Sequence, residues 1–339
     1  MGSQAAVDRV KEPSRVVVAT HGHCFDGMCS AAMFTRLLRH VNPGVDYAFE
    51  YHAMGYGPGQ NGVDPALLDG AENAVLDFRW SSAKTLTWYF DHHVSAFPEK
   101  DDRERYEELS KGKVGSARRV FHDGGYGSCT KLIADVGARD FGLDPEPFRS
   151  LVGWADMIDR AAFPSAQMAV NRAEPELQLM SVVEQYADDA FLARIVPRLL
   201  VEPIADIARA SDVVAAYEPL RAAHESFVNL VKDHAVTNGD VVVVDLTDST
   251  IEVAAKFVTY ALFPTSAYSV VVTRSKSKCK LSIGFNPWCG KTRTHNIAAI
   301  CERHGGGGHP VVGAISLTAD RVAEAKALAN DIATELATP

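Results

Sequence analysis

Residues 85–94 read TLTWYFDHHV, an apolar run that stops abruptly at Asp91, His92 and His93. A buried strand ending in an acid and two imidazoles delivers them to a sheet edge, where open α/β folds bind ligands. The triplet alone is equally compatible with a surface turn. Recurrence favours chemistry: RVVVAT (15–20) runs into HGHCFDG (21–27), AVL (74–76) into Asp77, and LVGWADMID (151–159) carries Asp156 and Asp159.

Around this stretch, short strands at 15–20, 47–51, 74–77 and 85–90 alternate with helical patterns, the first from about 30 to 39. Such alternation predicts an α/β fold with a mainly parallel, doubly wound sheet. The Gly/Pro-rich stretch 54–65 reads as a loop and DDRERYEEL (101–109) as a solvated helix face. A further helix is expected to be capped by Ser128 or Thr130 and to stop near Gly142, and helical patterns run on to about 236. From Asp240 the pattern changes to a smaller α/β domain: VVVVDL, a helix after Ser249, YSVVVTR, CKLSIGF, the helix THNIAAICERH, the glycines, AISL and a helix from about 319 to 336. The expected domains are 14–200, a helical linker 201–239, and 240–337, with a cleft between the domains.

A chain of 339 residues, 47% hydrophobic, can build two cores and is neither disordered nor fibrous. The opening MGSQAAVDRVKEP lacks the apolar core of a signal peptide, and no run approaches the ~20 apolar residues of a membrane span. Six cysteines without a CxxC pair fit reduced thiols, so a cytoplasmic protein with no membrane partner is expected. The net charge of −9 argues against stable duplex binding, which cation contacts to phosphate dominate. Charge is uneven, however: residues 274–310 hold seven Lys or Arg against the single acid Glu302. A homodimer is compatible with these features.

Four loops thus offer metal ligands after apolar segments: His21, His23 and Asp26; Asp77; Asp91, His92 and His93; Asp156 with Asp159. Carboxylates mixed with imidazoles suit Mn²⁺, Zn²⁺ or Fe²⁺ better than Ca²⁺. Two such ions roughly 3.5–4 Å apart could activate a water and clamp a phosphoryl centre. Each acid has a structural reading too, with Asp26 as a helix cap, Asp77 as a turn acid and Asp156 as a cap or salt-bridge partner. In HGGGGHP (304–310), Gly306, Gly307 and Gly308 would let backbone N–H groups approach an anion, with His309 and the basic residues, Arg293 among them, adding contacts.

On HGHCFDG (21–27), LDF (76–78), DHH (91–93), GWAD (153–156) and GGGHP (306–310), the chain resembles the DHH phosphoesterase superfamily with its DHH-associated C-terminal domain. The resemblance covers about 15–337. It implies a two-domain hydrolase that uses two divalent ions, usually Mn²⁺, to cleave phosphoester or phosphoanhydride bonds. It also implies that Asp77 bridges the ions, that His92, Asp26 and Asp156 complete one site, and that His21 belongs to the other. Asp91 would orient the imidazoles and His93 would face the substrate phosphate. Two departures stand out. The first motif has Cys24-Phe25-Asp26, with His23 or Cys24 where the family has an acid, so Zn²⁺ or Fe²⁺ becomes an option there. Ser282 is followed by Ile283 and Gly284 instead of an arginine, which turns attention to Lys291, Arg293 and Arg303. The expected function is phosphodiester or phosphomonoester hydrolysis of small nucleotides, short single-stranded oligonucleotides above all. Pyrophosphate or polyphosphate hydrolysis, and a nucleotide-binding regulator with an impaired metal site, are the alternatives.

Overall fold

The computed structural model describes residues 12–56, 62–111, 119–250 and 257–338. These fall into two compact units that divide at 162/163, 174/175 and 215/216, so that Phe163–Glu174 leaves the first unit for the second before the chain returns.

Along the chain run β1 (Ser14–His21), α1 (Phe25–Val41), β2 (Tyr47–Met54), β3 (Glu72–Leu76), β4 (Trp88–Asp91), α2 (Lys100–Ser110), β5 (Arg119–His122), α3 (Cys129–Phe141) and α4 (Arg149–Asp159). Helices α5 (Ala166–Asn171), α6 (Pro175–Tyr186), α7 (Asp189–Leu199), α8 (Ile204–Ala208) and α9 (Ser211–Asp233) follow. The remainder holds β6 (Ala235–Asn238), β7 (Val241–Thr250), α10 (Val258–Leu262), β8 (Tyr268–Arg274), β9 (Lys278–Phe285), α11 (Ile297–Glu302), β10 (Gly307–His309), β11 (Val312–Thr318) and α12 (Val322–Leu336).

The first unit is built on a five-stranded sheet ordered β2-β1-β3-β4-β5, every pairing parallel. Val16, Val17 and Val18 are all fully buried, as expected when helices cover both faces and a strand reads as a continuous apolar run. Strand order reverses direction between β1 and β3, which makes the crevice beyond their C-terminal ends the switch point of the sheet. Helix α1 starts there, and Gly27 is what lets it: a Cβ at this position would lie 2.1 Å from the His21 carbonyl oxygen. Helix α3 begins as its sequence predicts, with Ser128 Oγ accepting from the Lys131 N–H, and ends at Gly142 in the left-handed region.

The second unit carries a six-stranded sheet ordered β10-β11-β9-β8-β7-β6, in which only β7 and β8 run parallel. Period-two alternation sorts its faces. Val241 packs with Ile300, Ala329 and Ile332 from α11 and α12, whereas Val242, Val244 and Leu246 pack with Val170, Val231 and Val258. The excursion 163–174 therefore contributes core to this unit, and the Trp288 indole N–H anchors it by donating to the Phe163 carbonyl at 2.9 Å.

Several elements differ from expectation. Helix α1 starts at Phe25 instead of near 30, and β5, β6 and β10 carry too few apolar residues to have been read as strands. The stretch 201–239 holds α8, α9 and β6, with the unit boundary inside α9. Part of the loop expected at 54–65 and most of the helix expected after Ser249 lie outside the described residues. Among the described residues no helix is long and apolar enough to cross a membrane.

Candidate metal centre

The C-terminal ends of β1, β3 and β4 bring the motifs together at the switch point. His21 ends β1, Cys24 and Asp26 open α1, Asp77 follows β3, Asp91 ends β4 with His92 and His93 next, and Asp159 ends α4. Asp26, Asp77 and Asp91 are buried to within 1% of completely. Buried anions are costly unless partnered, so the partners define the site.

Asp77 sits between two groups. Its Oδ2 is 3.5 Å from His21 Nδ1 and 3.7 Å from Cys24 Sγ, while its Oδ1 is 3.4 Å from His92 Nε2 and 3.7 Å from His93 Nδ1. Its backbone is left-handed, φ 52°, although its N–H still pairs with the Phe90 carbonyl at 2.9 Å. Non-glycine residues held there cost of order 1–3 kcal/mol, a cost concentrated at functional sites. On the other flank His92 Nε2 lies 3.4 Å from Asp159 Oδ2 and 3.8 Å from Asp26 Oδ2.

Both imidazoles after β4 are fixed through the ring nitrogen away from these contacts or by the strand's own acid. His92 Nδ1 pairs with the Tyr126 carbonyl at 3.2 Å, leaving Nε2 in the cluster. Asp91 Oδ1 accepts from the His92 N–H, the His93 N–H and His93 Nδ1, and its Oδ2 accepts from Tyr89 O–H. Asp91 is thus an orienting acid, as histidines at metal sites commonly require. Asp26 also serves the fold, because its carboxylate accepts from the Cys129 and Thr130 N–H groups and so caps α3 from a different helix.

Charge in the cluster is unbalanced. Burial alone would raise the Asp77 pKa, but His21, His92 and His93 hold it at about 2. Burial likewise works against the charged His92, and contact with Asp77 outweighs it, raising the pKa to about 9. The hydrogen bond to Asp91 raises His93. Asp26 and Asp159 are pushed up by burial and then by the Asp77 carboxylate, and Cys24 by burial and then Asp77. Four carboxyls and a thiol thus share three imidazoles. In the cluster His21 Nδ1, Asp77 Oδ1 and His92 Nε2 are buried and without hydrogen-bond partners among the described residues, as is Asp156 Oδ1 beside it. Three overlapping ligand groups result, His21/Cys24/Asp77, Asp77/His92/His93 and Asp26/His92/Asp159, each with donor atoms within 4.8 Å of one another. This donor set fits divalent cations of the Mn²⁺, Fe²⁺ or Zn²⁺ type.

Of the residues expected here, His21, Asp26, Asp77, Asp91, His92 and His93 converge. His23 does not: it is exposed, left-handed at φ 53°, and its N–H donates to the Ala187 carbonyl, so Cys24 takes the place beside Asp77. Asp156 also stands outside the cluster, its Oδ2 drawn 3.3 Å from Arg160 Nη1, and Asp159, one helical turn on, reaches His92 instead. Tyr89 was missed, although the period of two places it on the same strand face as Asp91. The Tyr126 carbonyl, a backbone group, carries no signal in sequence.

In the second unit a cavity of about 540 Å³ is lined by Phe227, Phe257, Tyr260, Lys280, Ser282, Gly307, Gly308 and His309, among others. The glycines are not all in a loop: Gly305 lies in a turn, but Gly307–His309 is β10, paired antiparallel with β11. Gly308 has φ 152°, and a Cβ there would lie 2.3 Å from the Val312 carbonyl oxygen, so close strand pairing requires it. Gly306 and Arg293 lie outside the cavity lining, and Arg293 Nη1 donates to the His295 carbonyl. Lys291 is paired with Asp240 and Arg303 with Glu335, which leaves Lys280, among the described residues, as the lysine or arginine at the cavity.

No family model matches the chain, and no curated protein is similar to it in sequence. Solved structures are similar in fold: the DHH domain of a protein described as a member of a ribosomal-protein family aligns with TM-score 0.57 and 13% identity over 95% of this chain and 87% of that one. The chain therefore has the fold of DHH-domain proteins. A pGpG-specific phosphodiesterase, PggH from Vibrio cholerae, aligns with TM-score 0.64 and 16% identity over 95% of this chain and 98% of that one. RecJ from Thermus thermophilus, solved in complex with Mn²⁺, aligns with TM-score 0.53 and 12% identity over 96% of this chain, which spans about half (52%) of RecJ.

Proposed function

We propose that the chain is a divalent-metal-dependent phosphoesterase hydrolysing small nucleotide substrates, with short single-stranded oligonucleotides first among them. The observation that carries this reading is the pair of buried atoms Asp77 Oδ1 and His92 Nε2, 3.4 Å apart and without a hydrogen bond among the described residues, amid an excess of carboxyls at the switch point of the sheet. Divalent ions held there by Asp77, the imidazoles, Asp26 and Asp159 would supply an activated water and a clamp on the phosphoryl oxygens, so no side-chain nucleophile would be needed. The chain's residues set the stage. Asp77 offers one oxygen to each flank, as a shared ligand can. Asp91 engages His93 Nδ1 at 2.8 Å, which leaves His93 Nε2 to donate to a phosphate oxygen. The fold shared with a phosphodiesterase named for pGpG supports a linear dinucleotide as substrate, and the RecJ complex supports Mn²⁺. The aromatic walls and Lys280 of the second unit's cavity suit a base and a phosphate.

Steady-state hydrolysis with Mn²⁺ across linear dinucleotides, cyclic dinucleotides, 3′-phosphoadenosine 5′-phosphate and pyrophosphate tests the reading. The expected result is fastest turnover on linear dinucleotides, abolished by a chelator. Faster turnover of pyrophosphate would replace the substrate class, and no turnover on any of the four would overturn the enzyme reading.

A further inference from the structure

We propose that Cys24 is a metal ligand, its thiolate joining His21 and Asp77 to make one cation position of the centre borderline-soft, selective for Zn²⁺, Co²⁺ or Fe²⁺ over Mn²⁺. The inference rests on reading the cluster as a metal centre and adds which ion one of its positions takes.

Spacing comes first. Cys24 Sγ is 3.7 Å and His21 Nδ1 3.5 Å from the same oxygen, Asp77 Oδ2. Ligands bound tetrahedrally at about 2.0–2.3 Å lie roughly 3.3–3.7 Å from one another, so Cys24 and His21 each stand at a ligand-to-ligand distance from Asp77, and all three donors fall within 4.8 Å of one another. A second observation points to a cation independently of the cysteine. Asp77 is 1% exposed, and the buried His21 Nδ1, 3.5 Å from its Oδ2, has no hydrogen-bond partner among the described residues. Nor is the thiol spent elsewhere: Cys24 occupies the N-cap position of α1 without a side-chain capping bond, whereas the buried Cys129 donates its S–H to the Phe90 carbonyl. Thiolate favours Zn²⁺ and Fe²⁺, while Mn²⁺ stands lowest in the affinity series and prefers oxygen. On ligation the S–H bond breaks, its proton goes to solvent and a sulfur–metal bond forms. Three protein donors leave further positions for water or a substrate oxygen.

Titration of the metal-free full chain with Co²⁺ tests this. The expected result is a sulfur-to-cobalt charge-transfer band in the near ultraviolet that saturates at one equivalent and is absent in Cys24→Ser. In Cys24→Asp, Mn²⁺ should displace Co²⁺ at concentrations at least about tenfold lower than in the wild type, because oxygen replaces sulfur. Alkylation of Cys24 in the wild-type chain, slowed by Zn²⁺ and not by Mn²⁺, gives a reading that needs no variant to fold. Cobalt bound without the charge-transfer band, a band that survives in Cys24→Ser, or alkylation indifferent to Zn²⁺ would each overturn the assignment. Mn²⁺-dependent dinucleotide hydrolysis measured in parallel separates the two levels. Hydrolysis without the band removes Cys24 and leaves the phosphoesterase, whereas neither metal uptake nor hydrolysis overturns both.

Discussion

Among single residues, Asp77 concentrates the chemistry, because its two oxygens face different donor groups and its backbone is left-handed. Asp77→Asn keeps the shape and removes the charge both flanks share. We expect at least a hundredfold loss in kcat/KM, about 2.7 kcal/mol of transition-state stabilisation, with the circular dichroism spectrum unchanged; retention of more than a tenth of the rate would refute the bridging role. Protonation follows from the same contacts. In the metal-free protein the raised His92, near 9 against an ordinary 6.5, stabilises the fold fully below pH 6.5, a contribution lost as the pH rises through about 9. Asp77, near 2 against 3.8, behaves oppositely: its contribution is present above 3.8 and lost as the pH falls through about 2. Because a metal takes neutral imidazole, loading at pH 7 must expel the His92 proton, and affinity should climb with pH up to about 9. Calorimetric titrations of Cys24→Ser in two buffers of different ionisation enthalpy read that proton without a contribution from the thiol, and identical heats would contradict it.

Among the secondary-structure elements, α4 offers a choice between two acids three residues apart on one face. Asp156 is held by Arg160 and Asp159 reaches His92, so Asp159→Asn should lower metal affinity about tenfold or more while Asp156→Asn has little effect on metal binding. The reverse pattern in a metal titration would reinstate Asp156. This distinction also marks how far the sequence could be read. Apolar runs ending in His21, Asp77 and Asp91 announced a parallel sheet with these residues at one edge, and the structure has the sheet and gathers them at the C-terminal ends of its strands. Whether His23 or Cys24 faces the site depends on one left-handed turn before α1, and nothing in the residue types HGHC specifies it. The glycines at 306–308 suggested an anion-binding loop because backbone freedom is all that composition reveals; the close packing of Gly306 and Gly308 against β11, which leaves no room for a Cβ, exists only in three dimensions. The short strands β5 and β6 draw their stability from neighbours in the sheet instead of from their own patterning.

Taken from end to end, the chain passes between its two units three times, at 162/163, 174/175 and 215/216. A polypeptide ending at 215 would carry Phe163 and Val170 without the Trp288, Val231 and Val242 they engage. It should therefore be less stable to denaturant than the intact chain and prone to aggregate, and the added peptide 163–174 should stabilise the isolated fragment 216–339. A fragment 216–339 indifferent to that peptide would show the excursion to be dispensable. The same interleaving limits how the two units can be inherited. A single crossover between homologous genes, placed at any of the three passages, leaves at least one unit assembled from two parents: at 162/163 the β-sheet of the first unit meets foreign α6 and α7, at 215/216 the second unit's core receives a foreign Val170, and at 174/175 both units are mixed. Exchange of an entire unit takes a recombination event at every passage, so the pair is expected to diversify by point substitution far more readily than by shuffling.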